Sequence, residues 1–285
     1  MEGVSSGRIA FFLGAVVVAS AIGSAAAMFG LNHATFASLS RGSEPYFSCN
    51  VLGIQVYGAI VTNGASAPFS DQTIPIDASS TPNYTASNIL EDTLRYAKDD
   101  AAIKGLFIDV DSGGGSPVAG EEIAKAIRRF GRPSVAVIHE VGASAGYLVA
   151  SAANTVFASE NSNVGSIGVT SSYLSYAEKD KKDGITYEQL SSGPFKDMYS
   201  PDKPLTKAER DLIMRDIKIS HDIFVNLVAE YRHQPPEKIY ALADGSAMMG
   251  AQALESGLID EIGGTQEAID HLDKTIGEPI TICWH

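Results

Sequence analysis

The stretch Gly105–Ala158, GLFIDVDSGGGSPVAGEEIAKAIRRFGRPSVAVIHEVGASAGYLVASAANTVFA, decides the fold. Two kinds of segment alternate in it. Gly105–Val110 is a short apolar run, as a strand buried on both faces requires. Val118–Phe130 repeats its apolar residues at helical spacing and turns Ile123, Ile127 and Phe130 to one side. Ser134–Ile138 reads as a second apolar strand, Ser144–Ala153 as a helix of small residues, and Thr155–Ala158 and Ile167–Thr170 as further strand pieces. Strands alternating with helices predict βα units, a mainly parallel sheet and helices on both of its faces.

The pattern extends in both directions. Upstream, Ser87 is placed to cap a helix through Lys98, with Ile89, Leu90, Leu94 and Ala97 on one face. A strand within Asn50–Ile60 ends near Gly58. Between them, Val61–Thr85 carries Pro68, Pro75 and Pro82 without periodicity, either as a substrate-facing lid or as a surface insertion. Asn83-Tyr84-Thr85 fits a glycosylation acceptor. Downstream, Lys207–Arg232 predicts one long helix, with Thr206 and Glu209 as its capping box. Shorter helices come after it at Met249–Glu255 and Gln266–Lys274. There is no repeat and no second core, so residues 47–285 read as one α/β domain.

The N-terminus is different. Ile9–Phe29 has no ionisable side chain, and at about 1.5 Å per residue a helix of that length spans roughly the 30 Å of a bilayer core. It is expected to be a transmembrane anchor or uncleaved signal, although the small residues Ser24–Ala27 also suit cleavage. Residues 1–8 then form a short cytoplasmic N-terminus and residues 30–46 a tether. Arg8 precedes the segment and Arg41 is the first basic residue after it, which puts the domain on the extracytoplasmic side of the cell membrane. With 34 acidic against 21 basic residues, a formal charge of -13, the chain is a poor partner for nucleic-acid phosphates. Cys49 and Cys283 suit one disulfide or two buried thiols, and neither has a partner at metal-ligand spacing.

Two turns carry the chemistry. In Asp109-Val110-Asp111-Ser112-Gly113-Gly114-Gly115-Ser116-Pro117, three glycines between a strand and a helix bring backbone N–H groups close to an anion or a developing oxyanion. The spacing is neither that of a dinucleotide site nor that of a P-loop. Asp109 and Asp111 lack a third metal ligand, so no metal or cofactor is expected. In Gly142-Ala143-Ser144-Ala145-Gly146-Tyr147, small residues flank a serine in the G-x-S-x-G pattern of a nucleophile elbow.

A serine nucleophile needs a base. His139 lies close to Ser144 in sequence; His221 and His233 fall on the long helix; Asp197 or Asp244 followed by His271 fits the order of a lipase-like triad. Lys196, in Ser192-Gly193-Pro194-Phe195-Lys196-Asp197, stands apart from the solvated run Lys179, Lys181 and Lys182. A lysine acts as base only when neutral. Lowering its pKa from about 10.4 to about 7–8 asks for about 4 kcal/mol of bias, which burial supplies. Asp197 must then point away from the amine.

Taken together, Asp111–Gly115, Ala143–Tyr147, Gly165–Val169, Ser192–Asp197 and Gly257-Leu258-Ile259-Asp260 resemble, in kind and order, segments of the S49 serine peptidase family, which has a ClpP/crotonase-like core. The resemblance implies Ser144 as nucleophile, Lys196 as general base, and Gly115 with Gly114 as oxyanion donors. It implies a peptide substrate, such as remnant signal peptides or other extended membrane-associated chains, and a homo-oligomeric ring. Asp111 stands where the family usually has Asn, and Gly113 where it has Pro. Two alternatives stay open from the residues alone: a Ser-His-acid esterase using Ser144, and an anchored scaffold of the same fold with a disabled site.

Overall fold

The computed structural model describes residues 49–64 and 84–285. The expected anchor at 9–29, the tether at 30–46 and most of the proline-containing stretch after Val61 lie outside them. In chain order the elements are β1 (Val51–Val61), β2 (Tyr84–Ala86), α1 (Ser87–Asp99), β3 (Gly105–Gly115), α2 (Pro117–Phe130), β4 (Ser134–Ala143), α3 (Ala145–Ser151), β5 (Thr155–Ala158), β6 (Asn163–Gly165), α4 (Ala177–Lys182), α5 (Lys207–Tyr231), α6 (Pro236–Leu242), β7 (Ala247–Met249), α7 (Gly250–Ser256), β8 (Glu261–Ile262), α8 (Thr265–Ile276) and β9 (Ile282–Trp284).

The sheet runs β2-β1-β3-β4-β5-β8 with every neighbour parallel. β9 adds to the start of β1, β6 to the end of β4, and among the described strands only β7 is antiparallel. This is the expected α/β architecture, and β3 shows its physical basis. Gly105–Val110 are all buried because both faces are covered. Leu106, Ile108 and Val110 join a core with Leu90 and Leu94 of α1, Ile123 and Ile127 of α2, and Tyr147 of α3. Phe107 points the other way, onto Ala268 and Leu272 of α8. Truncating one such side chain, as in Ile123→Ala, costs about 2–5 kcal/mol.

Helix ends follow local chemistry. Ser116 caps α2 by accepting from the Ala119 N–H, Pro117 opens it, and Gly131 closes it in a left-handed conformation. Thr206 and Glu209 form the expected capping box at α5. Several expectations need correction. Ser87 is not a cap but the first residue of α1, buried, with its hydroxyl donating to Glu122 at 2.5 Å. Ile89 faces solvent while Leu90 and Leu94 fill the core. The strand near residue 167 is instead Asn163–Gly165. Both central strands run further than expected, β3 through its glycines and β4 to Ala143. The two cysteines pair, with Cα atoms 5.6 Å apart, and join the chain just before β1 to β9.

Because the strands are parallel, the C-terminal ends of β3 and β4 lie at one rim of the sheet, where α2 and α3 begin. The two chemical turns therefore meet.

Candidate active site

Ser144 sits between β4 and α3 with φ 53° and ψ -125°, a conformation costly for any residue with a side chain. Its surroundings hold it there. The Ser144 N–H donates to Gly165 O at 2.8 Å, and its carbonyl accepts from the Leu148 N–H at 3.0 Å. Gly114, at φ 104°, lies so close that an added Cβ would stand 2.8 Å from Ser144 Cβ. A Cβ on Gly146 would meet Ser112 O at 2.6 Å, which explains the small residue two positions after Ser144. Tyr147, fully buried, donates its hydroxyl to Leu258 O at 2.8 Å and anchors α3; burial pushes its phenol pKa upward.

Ser144, Ala145 and Gly115 line a cavity of about 280 Å³ whose other walls include Val118, Leu148, Val169, Ile223 and Phe224, with Glu121, Thr170 and Ser220 as polar groups. No described side chain hydrogen-bonds Ser144 Oγ. The Ala145 N–H, at the first position of α3, has no acceptor within the helix. An N–H directly after a nucleophile on such a turn is a natural oxyanion donor. The sequence reading missed it, although the G-x-S-x-G pattern carries that signal. The Gly114 N–H is directed to Ser112 Oγ at 3.1 Å, and that hydroxyl donates to Gly58 O at 2.6 Å. Gly114 thus contributes close approach. The neighbouring Ser116 N–H reaches Ile60 O at 2.8 Å, so along the extended chain the Gly115 N–H turns to the opposite edge of β3.

Asp111 does not crowd the anion site. Its Oδ1 accepts the Val141 N–H at 3.0 Å. Asp109 accepts the Tyr57 hydroxyl at 2.5 Å and pairs with His139 Nε2. Burial and the neighbouring carboxylate raise the Tyr57 phenol pKa. By strand alternation Asp109 and His139 share the face of Phe107 and Val137, the α8 side, whereas the Ser144 cavity lies among α2, α3 and α5. The other candidate histidines are equally remote in role. His221 contacts Ala243 O at 3.0 Å, and His271 lies against Thr155 and Glu261. Thr155 starts β5, at the rim opposite Ser144. A lipase-like triad through His271 is therefore not formed. Among the described residues no cluster of His, Cys, Asp or Glu is placed to hold a metal ion.

Lys196 lies in a separate region. Residues 171–206 project with most side chains exposed, Leu174 at 71% and Leu190 at 88%. Lys196 is exposed and is not part of the Ser144 cavity wall. Asp197 does point elsewhere, accepting from the Tyr187 hydroxyl and from Gln189 Nε2 at 2.5 Å. The base of this arm is fixed by the Tyr173 hydroxyl on Ser200 O at 2.5 Å and by a buried ion pair between Lys203 and Glu209. That pair and the Thr206 N–H hold the Glu209 carboxyl down at about 2.

A family model described as peptidase family S49 matches residues 126–277. A protein of Enterococcus faecium provisionally named signal peptide peptidase SppA is 32% identical over 249 residues, 86% of this chain and 68% of that protein. Protease 4 of Haemophilus influenzae is 28% identical over 71% of this chain, and the chloroplastic serine protease SPPA of Arabidopsis thaliana 30% identical over 63%. The matched regions make up 33% and 27% of those two longer proteins. Among solved structures, a ClpP1 mutant from Listeria monocytogenes aligns with a TM-score of 0.47 at 16% identity, over 76% of this chain and 93% of its own.

Proposed function

The chain belongs to peptidase family S49, a family of serine peptidases, and from that premise we propose that it is a membrane-anchored endopeptidase with Ser144 as nucleophile and Lys196 as general base. The observation that carries this reading is the Ser144 turn itself: a strained serine on the wall of an apolar cavity, beside the Gly115 and Ala145 N–H groups. In the reaction, Ser144 Oγ attacks a peptide carbonyl as neutral Lys196 takes its proton. The two N–H groups receive the oxyanion, and the lysinium returns the proton to the leaving amine. Water then repeats the sequence on the acyl-enzyme. Each oxyanion donor is worth about 3 kcal/mol, or roughly 10²–10³ in rate. The cavity favours a substrate with an apolar side chain next to the scissile bond.

In a single copy Lys196 is exposed and stands outside the Ser144 cavity, so it lacks both the dry surroundings and the contact that a base needs. A ring of copies resolves both difficulties if the arm of one copy delivers Lys196 to the Ser144 cavity of the next. The exposed Leu174, Leu190 and Tyr199 on that arm are what such a contact would cover. The disulfide fits an oxidising, extracytoplasmic location. Together with the apolar 9–29 segment it favours extended peptides left in or near a membrane, remnant signal peptides included, as substrates.

The test mixes two inactive variants. Ser144→Ala and Lys196→Ala each abolish cleavage of an unfolded peptide. Co-assembled in equal amounts, they regain roughly one quarter of wild-type activity, the chance that an intact serine meets a neighbour's intact lysine. Full activity in Lys196→Ala alone would remove the lysine from the mechanism.

A further inference from the structure

We propose that Asp111 is a positioning residue for the Ser144 nucleophile, its carboxylate supplying the hydrogen-bond acceptor that the β3–β4 ladder lacks at Val141. This rests on the reading of Ser144 as nucleophile. The two strands pair regularly from Leu106↔Ser134 to Val110↔Ile138, and then resume at Ser112↔Gly142. One residue of β3, Asp111, therefore faces three of β4: His139, Glu140 and Val141. An irregularity of this kind bends a strand and re-aims the residues beyond it. It also leaves backbone groups without a ladder partner. Asp111 Oδ1 fills that gap by accepting the Val141 N–H at 3.0 Å.

The bond falls where β4 changes neighbours. Up to Ile138 its outer partner is β5; from Val141 to Ala143 it is β6, through Val141↔Asn163, Gly142↔Val164 and Ala143↔Gly165. Gly165 O then takes the Ser144 N–H. How much chain is absorbed between Ile138 and Val141 thus fixes where Ser144 arrives beneath Gly114. Two side chains stitch this excess. Asp111 does so from β3, and buried Ser162 does so from the other side, donating to Ile138 O at 3.2 Å and contacting His139 O. The Asp111 task needs one acceptor oxygen and no charge. An asparagine amide oxygen accepts the same bond, which makes the aspartate at this position equivalent for the turn.

The experiment uses the full chain in its assembled form. It reads kcat and KM on an unfolded peptide, together with the rate at which a fluorophosphonate acylates Ser144. Asp111→Ala is expected to lower kcat and the acylation rate in parallel, by roughly 10- to 100-fold, with KM within about twofold. Asp111→Asn is expected to stay within about threefold of wild type with an unmoved pH profile. Wild-type acylation in Asp111→Ala, or an Asp111→Asn variant as impaired as the alanine, overturns the proposal. If Asp111→Ala does not fold, Ser162→Ala loosens the same excess from the opposite side. It should show the same kcat-selective loss, and intact acylation there counts equally against the idea. Failure of the nucleophile reading is distinguishable, because the probe would then leave Ser144 of the wild-type protein unmodified.

Discussion

Replacing Gly114 by alanine isolates the close approach that shapes the Ser144 turn. The new Cβ would lie 2.8 Å from Ser144 Cβ and 3.0 Å from both Ala143 O and Ala145 N, whereas ordinary contact begins at 3.4 Å. Two of these three atoms are backbone, so no flexible side-chain tip can swing aside. The chain must open by about half an ångström or more, and Ser144 is the part that moves against its bonds to Gly165 O and Leu148 N. Displacement approaching 1 Å costs up to about 10² in rate. A φ of 104° adds strain of about 1–3 kcal/mol to folding, small against a typical domain stability of about 5–15 kcal/mol. The expected variant is therefore folded, melts several degrees lower, and loses roughly 10- to 100-fold in kcat and in fluorophosphonate labelling. Stability and peptide turnover are measured on the same preparation. Turnover and labelling within twofold of wild type would show that the approach of Gly114 does not shape the site.

Three further outcomes are expected. Reducing the Cys49–Cys283 bond, which closes a loop with a sequence separation of 234, removes up to about 5 kcal/mol in the chain-entropy account, so dithiothreitol should lower the melting temperature markedly; an unchanged transition would contradict it. Glu209 has its carboxyl pKa depressed from 4.5 to about 2, chiefly by Lys203. Its stabilisation is complete above the unfolded value and is lost as pH falls through the folded one, so wild type should lose stability between about pH 5 and 2 more steeply than Glu209→Gln. Equal acid limbs in calorimetry would remove that linkage. His139→Ala should keep most peptidase activity, since His139 engages Asp109 on the other face of the sheet; a hundredfold loss would place it in the reaction path.

The parallel βα order was readable because burial on both faces writes itself as short apolar runs such as Leu106–Val110, and the Thr206–Glu209 capping box because it is local. Strand length was not. Glycines lower strand propensity, yet Gly113–Gly115 continue β3 because neighbouring strands accept them, a long-range effect. Ile89 and Leu90 are adjacent and equally apolar, and only the packed orientation of α1 separates them. Ser144 was visible in its flanking small residues, whereas the Asp111–Val141 bond arises from a pairing irregularity between strands that no local pattern records. Lys196 drew notice by standing apart from the solvated lysine run, and its assignment as base came with the resemblance; its exposure on an arm is a property of tertiary structure.

The disulfide also has a mechanical meaning. Tension entering the chain just before β1 meets Cys49, which is covalently joined to β9, so β1 cannot draw away from the strand added to its start. β1 itself resists along its length, in shear against β2 and β3, with many hydrogen bonds stretched at once rather than one after another. A sheet tethered at that corner can be tugged without unzipping from its end.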